Sequence, residues 1–166
     1  MTTQQLLSGL RRGITDFSMI RPGDRIAVGL SGGKDSVTLL KLLAAYRRFS
    51  PEPFTLTAIT VDLNFKDNPA DFSPLAAFCA ELDVPFLLEK TDIGEVVFDV
   101  RKEENPCSLC AKMRKGALNQ AVKELGCNKV AYAHHRDDLV ETMLLSLIYE
   151  GRFHCFSPRT YLDRMD

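Results

Sequence analysis

The chain has 166 residues, 45% of them hydrophobic and 26% charged, with a net charge of −1. That is enough for one domain with a real core, has an ordinary globular composition, and carries no charge excess that would bind a polyanion by itself. No apolar run approaches the roughly 20 residues of a membrane span, and Met1-Thr2-Thr3-Gln4-Gln5 lacks the basic start and apolar stretch of a signal peptide, so the expected location is the cytoplasm with no membrane partner.

An opening helix is expected over about residues 3–19, with Leu6, Leu7, Leu10, Ile14 and Phe17 at helical spacing. Arg21-Pro22-Gly23-Asp24 is a turn, and residues 25–30 read as a buried first strand. A helix follows from Asp35 to about Arg48, then a β-branched strand from Phe54 to Leu63. Residues 74–82 read as a helix opened by Pro74, and 84–88 as a short third strand. Residues 89–106 are polar and punctuated, with one helical turn near Ile93–Val97. A helix begins at Cys110 or Ala111 and stops at Gly126; Lys129–Ala133 is the fourth strand. The last clear helix starts at Asp137 or Asp138 and stops at Gly151. Strands alternating with helices predict an α/β fold, a doubly wound parallel sheet with helices on both faces. The expected organisation is a helix and turn over 1–24, a nucleotide-binding domain over 25–152, and the start of a cut-short C-terminal segment over 153–166.

Gly29-Leu30-Ser31-Gly32-Gly33-Lys34-Asp35-Ser36 follows a strand and opens a helix, the context a phosphate site requires. Paired glycines let backbone N–H groups approach phosphate oxygens, and the helix start adds donors and a positive dipole end. Ser31 and Ser36 add hydroxyls and Lys34 a charge. The Walker A pattern does not fit, because only three residues separate Gly29 from Gly33 and Asp35 follows the lysine. The Gly-x-Gly-x-x-Gly fingerprint is absent. An acidic residue at position 35 repels phosphate unless it caps the helix or holds a metal.

Five cysteines, an odd number without a secretion signal, argue against a disulfide framework. Cys79 and Cys127 sit among apolar residues and read as small core fillers. Cys107-Ser108-Leu109-Cys110 precedes the basic run Lys112/Arg114/Lys115. A helix start and flanking cations favour the thiolate, the form that binds metal or attacks sulfur. One pair supplies only two ligands, so a metal or cluster site, a redox or persulfide site and coincidence all stay open. The basic run, like Arg11-Arg12 and Arg47-Arg48, is a candidate nucleic-acid contact, though each alone reads more simply as a solvated face.

His134-His135-Arg136-Asp137-Asp138 follows the fourth strand, and ligands of open α/β sheets bind beyond the carboxyl ends of strands. The carboxylates of Asp137 and Asp138 suit magnesium on ATP phosphates, or one of them caps the next helix. His134 and His135 suit a nucleotide or a reacting group.

The loop Ser31–Ser36 resembles the pyrophosphate loop of the N-type ATP pyrophosphatases, whose members cleave ATP between the α and β phosphates and transfer AMP to an oxygen. Together with Pro106–Cys110, the basic helix through Gly116, and His134–Asp138, the chain over about 25–152 resembles the tRNA 2-thiocytidine synthetase family. That resemblance implies an ATP-dependent tRNA sulfurtransferase. It would adenylate the C2 carbonyl of a cytidine in the anticodon loop and replace the oxygen by sulfur. It implies ATP binding by Ser31, Gly32, Gly33, Lys34, Asp35, Ser36, Val61, Asp62, Leu63 and His134, with Lys34, Asp35, Asp137 and Asp138 catalytic. It implies magnesium on Asp35 and Asp138, and a 4Fe-4S cluster on Cys107, Cys110 and a third cysteine further downstream, for which Cys155 falls too early. The implied partners are tRNA, a sulfur donor such as a cysteine desulfurase, and a second copy of the chain. Another adenylating enzyme of the superfamily, such as a tRNA thiouridine synthase or an amide-forming ligase, and a non-catalytic ATP-binding module are the competing readings.

Overall fold

The structure, a computed structural model, describes residues 2–65, 69–100 and 106–161. Its elements in chain order are α1 (Thr3–Asp16), β1 (Asp24–Gly29), α2 (Lys34–Arg47), β2 (Phe54–Asp62), α3 (Ser73–Glu81), β3 (Phe86–Lys90), a π-helical segment (Glu95–Val100), α4 (Pro106–Glu124), β4 (Lys129–Ala131) and α5 (Arg136–Glu150). They fall into two compact units, Arg21–Tyr132, and Met1–Ile20 with Ala133–Asp166.

In the unit Arg21–Tyr132 the described strands form a parallel sheet in the order β3-β2-β1-β4. The order reverses at β1, which pairs with β2 on one side (Val28 opposite Ala58) and β4 on the other (Val28 opposite Ala131). The carboxyl ends of β1 and β4 thus form the topological switch point, where open α/β sheets bind ligands. Side chains alternate across a strand, so Ala27, Ile59 and Val61 share one face. They form a core with Ile93 and Val97 and with Leu118, Ala121 and Val122 of α4. Right-handed crossovers put α2 and α3, which connect strands running outward from β1, on the opposite face. The expected doubly wound sheet is therefore present.

Several boundaries differ from the sequence reading by a few residues, and three differences in this unit have a plain local reason. The third strand pairs from Phe86 rather than Val84. Pro85 has no N–H to give a ladder, while the Val84 N–H donates to Cys79 O (3.0 Å) and closes the preceding helix. The turn expected near Ile93–Val97 is a π-helical segment with Val97 fully buried; residues 101–105 of the expected loop lie outside the described residues. Helix α4 includes Pro106, so both Cys107 and Cys110 are helical. Proline suits a first helical turn. Cys79 is fully buried and Cys127 half-buried, and burial pushes both thiols up, as expected of unreactive filler cysteines.

The opposite end of the sheet is held by a buried carboxylate. Asp24 accepts hydrogen bonds from the Arg21 N–H (2.6 Å), Asn128 Nδ2 (2.9 Å) and Lys129 Nζ (2.5 Å), joining the turn before β1 to the start of β4. Burial pushes its carboxyl upward, but the Lys129, Arg21 and Asn128 bonds outweigh this and leave it below the ordinary range. A lowered folded-state pKa gives stability present above the unfolded aspartate pKa and lost as pH falls through the folded one. Asp24→Asn is expected to cost about 2–3 kcal/mol at neutral pH, the scale of a lost charged hydrogen bond. Its stability should also fall less steeply with acid than that of the wild type, as followed by denaturant titration from pH 7 to pH 3.

In the unit Met1–Ile20 with Ala133–Asp166, α1 starts with a capping box: the Gln5 N–H donates to Thr2 Oγ1 and the Thr2 N–H to Gln5 Oε1. It ends before the expected residue 19, because Ser18 takes a left-handed φ of 48°. Helix α5 stops at Gly151, also left-handed at φ 62°, as its glycine predicted. Residues 162–166 of the expected C-terminal segment lie outside the described residues. Among the described residues no helix is long and apolar enough to cross a membrane.

Candidate functional site

The loop after β1 is pinned at its base and open at its tip. Leu30 is buried; its N–H donates to Ile59 O (2.9 Å), and its carbonyl accepts the buried Thr60 hydroxyl (2.7 Å). Thr60 was not singled out by the sequence, where its polarity inside an apolar strand was the available signal. Gly32 takes φ +80°, a conformation that disfavours any other residue. Gly33 is the N-cap of α2 and supplies no side chain to its amides. Ser36 is buried beneath the loop. Its hydroxyl accepts the Ser31 N–H (3.2 Å), donates to Gly33 O (3.0 Å) and lies 3.1 Å from Ser31 Oγ. Ser36 thus shapes the loop from below, while Ser31, Gly32, Gly33 and Lys34 are exposed.

Lys34 Nζ donates to both carboxylate oxygens of Asp35, at 2.8 and 2.9 Å, with the two side chains 83% and 47% exposed. The acidic residue that would repel an anion is thereby neutralised by its neighbour. Exposed ion pairs contribute at most about 1 kcal/mol, so a phosphate competes for Lys34 at small cost. The first-turn amides of a helix have no intrahelical partner, which makes this helix start suited to phosphate oxygens.

The end of β2 is braced by the segment after β3. Thr91 donates from its N–H (3.1 Å) and hydroxyl (2.7 Å) to Asp62 O, and the Gly94 N–H donates to Leu63 O at 2.7 Å. A Cβ on Gly94 would stand 2.7 Å from Leu63 O and 3.0 Å from Asn64 O. Gly94→Ala is therefore expected to destabilise by about 1–3 kcal/mol, the usual cost of overpacking, read as a lowered Tm. The Val61 side chain is committed to the core, which leaves its backbone for any ligand. Asp62 Oδ1 accepts the Asn64 N–H (2.8 Å). Asp62 also lines a cavity of about 400 Å³ with Phe72, Ser73, Leu88 and Lys90. This cavity sits at the β3 edge and is not lined by the phosphate loop.

The cysteine pair occupies the first turn of α4. Cys107 is exposed, and Cys110 is half-buried against the core with Leu109 and Met113. A spacing of three residues puts both thiols on one side of the helix. Leu118 fixes α4 against the sheet: a Cβ on Gly29 would touch it at 3.4 Å, so the glycine permits close approach of the helix to the strand that feeds the loop. Two thiols on one turn fit a cluster as two of its ligands. Among the described residues, no group of three or more His, Cys, Asp or Glu side chains is arranged to hold a metal.

In the other unit, the structure decides which aspartate caps α5. Asp138 Oδ2 accepts the His135 N–H at 2.7 Å and lies 3.6 Å from Nδ1 of both His134 and His135. The His135 amide above all holds the Asp138 carboxyl below its ordinary range; burial opposes this, and the nearby imidazoles add to the lowering. Asp137 is 72% exposed and lies 3.8 Å from Arg136 Nε. His134 packs on Phe156, with ring centroids 5.1 Å apart. Cys155 is exposed in the tail after α5.

Comparison with known proteins agrees with this geometry. The sequence profile of the PP-loop domain matches residues 6–155. A tRNA-cytidine(32) 2-sulfurtransferase of Geobacter sulfurreducens is 38% identical over 161 residues, covering 96% of this chain and 62% of that protein. One from Xanthomonas campestris pv. campestris (strain B100) is 39% identical over 161 residues, covering 96% of this chain and 53% of that protein. The chain thus spans between half and two thirds of the length of these relatives. Among solved structures, the U34-tRNA thiolase NcsA from Methanococcus maripaludis with its 4Fe-4S cluster superposes with a TM-score of 0.74 at 26% identity, covering 90% of this chain and 51% of that one. An NH3-dependent NAD synthetase from Campylobacter jejuni shares the fold, with a TM-score of 0.52 at 16% identity over 91% of this chain and 76% of that one. With the profile matched over 6–155 and the glycine loop in place at the sheet's switch point, the chain belongs to the PP-loop domain family.

Proposed function

We propose that this chain is the ATP-binding core of a tRNA sulfurtransferase that activates a cytidine carbonyl with ATP and exchanges its oxygen for sulfur. The observation that carries this reading is the Ser31–Ser36 loop at the switch point, borne on the same sheet that packs the Cys107/Cys110 helix. The similarity to tRNA-cytidine(32) 2-sulfurtransferases, which runs over 96% of this chain, supports the substrate class. We take residues 25–152 as the nucleotide-binding domain and the cytoplasm as its location.

A cytidine C2 carbonyl resists exchange because its oxygen is a poor leaving group. Transfer of AMP to that oxygen gives it a good one. The amides of Gly33–Ser36 and the Lys34 ammonium would stabilise charge on the departing pyrophosphate, a preorganised electrostatic role. The backbone of Val61–Leu63 and the side chains of Asp62 and His134 are assigned to the nucleoside. Asp35 and Asp138 are assigned to magnesium, with Asp137 supporting it. Cys107 and Cys110 would hold a 4Fe-4S cluster by two corners, with a third thiolate supplied from elsewhere; when bound, that cluster presents the sulfur. A cysteine desulfurase as sulfur donor and a homodimer belong to the same proposal. The target base has to be unstacked to reach the site, which an anticodon loop permits.

Product analysis tests the reading. A protein carrying this chain at its full natural length, given Mg-ATP, a sulfur source and tRNA lacking thiocytidine, should release AMP and pyrophosphate in equal amounts. Release of ADP and phosphate, or nucleotide turnover indifferent to tRNA, would overturn it.

A further inference from the structure

We propose that Phe156 is a positioning residue for His134, fixing the imidazole for the nucleotide; this rests on the assignment of His134 made above. The two rings lie 5.1 Å apart at 51°. Aromatic pairs at this distance are attractive beyond their buried area. On another side, Asp138 Oδ2 stands 3.6 Å from His134 Nδ1 and is itself held by the His135 N–H at 2.7 Å. A ring against the imidazole plane and a carboxylate at one nitrogen together restrict both side-chain torsions. His134 is 62% exposed, and an imidazole at such a position without these contacts samples several rotamers.

Phe156 can do this because the tail around it is tied down without regular structure. Before it, the Ser146 hydroxyl donates to His154 O (2.8 Å), and the Arg152 N–H to Ser146 O (3.2 Å). After it, the Arg159 guanidinium donates to Phe17 O (3.1 Å) and Ser18 O (2.9 Å), capping the carbonyl end of α1, and lies 4.7 Å from the Tyr161 ring centroid. Between these anchors Phe156 is half-buried while Cys155 and Ser157 are exposed, so its ring is turned inward. All of these groups belong to one compact unit.

The test uses Phe156→Leu, which keeps bulk but removes the ring, and Phe156→Tyr, which keeps the ring. Three quantities are read on the present chain: the His134 imidazole proton resonances by NMR, the Kd of Mg-ATP by calorimetry, and Tm. The leucine variant should move the His134 resonances and weaken Mg-ATP binding roughly two- to tenfold, the scale of one aromatic pair. The tyrosine variant should restore both. Unmoved His134 resonances in the leucine variant, or moved resonances with wild-type affinity, would overturn the inference while leaving the functional reading intact. Weakened binding in both variants with a common fall in Tm would mark Phe156 as a packing residue and equally overturn it. A wild-type chain that fails to bind Mg-ATP would instead bring down the functional reading itself.

Discussion

Lys34→Ala is expected to lower the rate of adenylation by a hundredfold or more, about 3 kcal/mol, the scale of removing one preorganised donor from a developing anion. The fold should survive. Lys34 is 83% exposed, and its ion pair with Asp35 is screened by solvent, so losing that pair costs at most about 1 kcal/mol of stability. Unchanged Tm together with lost pyrophosphate release therefore separates a functional lysine from a structural one. Ser36→Ala offers a contrast: the hydroxyl is buried and bonded to Ser31 and Gly33, so both stability and activity should fall. Normal turnover in Lys34→Ala would remove the assignment of this loop to the phosphates.

The second large effect concerns the thiols. In a full-length protein carrying this chain, Cys107→Ser and Cys110→Ser should each abolish the iron-dependent visible absorbance and sulfur transfer. The Kd of Mg-ATP should stay within about twofold, as expected for sites that share no partners. The two variants should differ in stability. Cys107 is exposed and its replacement should be neutral, whereas Cys110 packs at the core edge and its replacement should lower Tm modestly. Retained absorbance in either variant would exclude that cysteine as a ligand.

The β1-loop-α2 unit was legible in the sequence because several signals coincide there: a buried strand, paired glycines, two serines, and helical periodicity from Val37 onward. The stops at Gly126 and Gly151 were legible for the same kind of reason, since a left-handed residue after a helix favours glycine; both sit at φ 62°. Other features depend on partners distant in sequence and leave little local trace. The π-helical segment is set by burying Val97 against α4, and its polar surroundings gave only a weak helical turn. The need for glycine at position 94 arises from a carbonyl distant in sequence, Leu63 O just past the end of β2. Pro106 carries a helix-start signal, yet the polar stretch before it places the expected start only at Cys110 or Ala111. For Asp137 and Asp138, either fits a cap by composition. The choice of Asp138 rests on the extended backbone of His135, ψ 179°, which aims the amide at that carboxylate.

The central claim is that a triphosphate sits on the amides that open α2. Amide NMR of the ¹⁵N-labelled chain during Mg-ATP titration tests this residue by residue. The account predicts saturable shifts at Gly32, Gly33, Lys34, Asp35 and Ser36, with Asp24, Asn128 and Lys129 at the far end of the sheet unmoved. Saturable nucleotide binding that leaves the Gly32–Ser36 amides in place would contradict it.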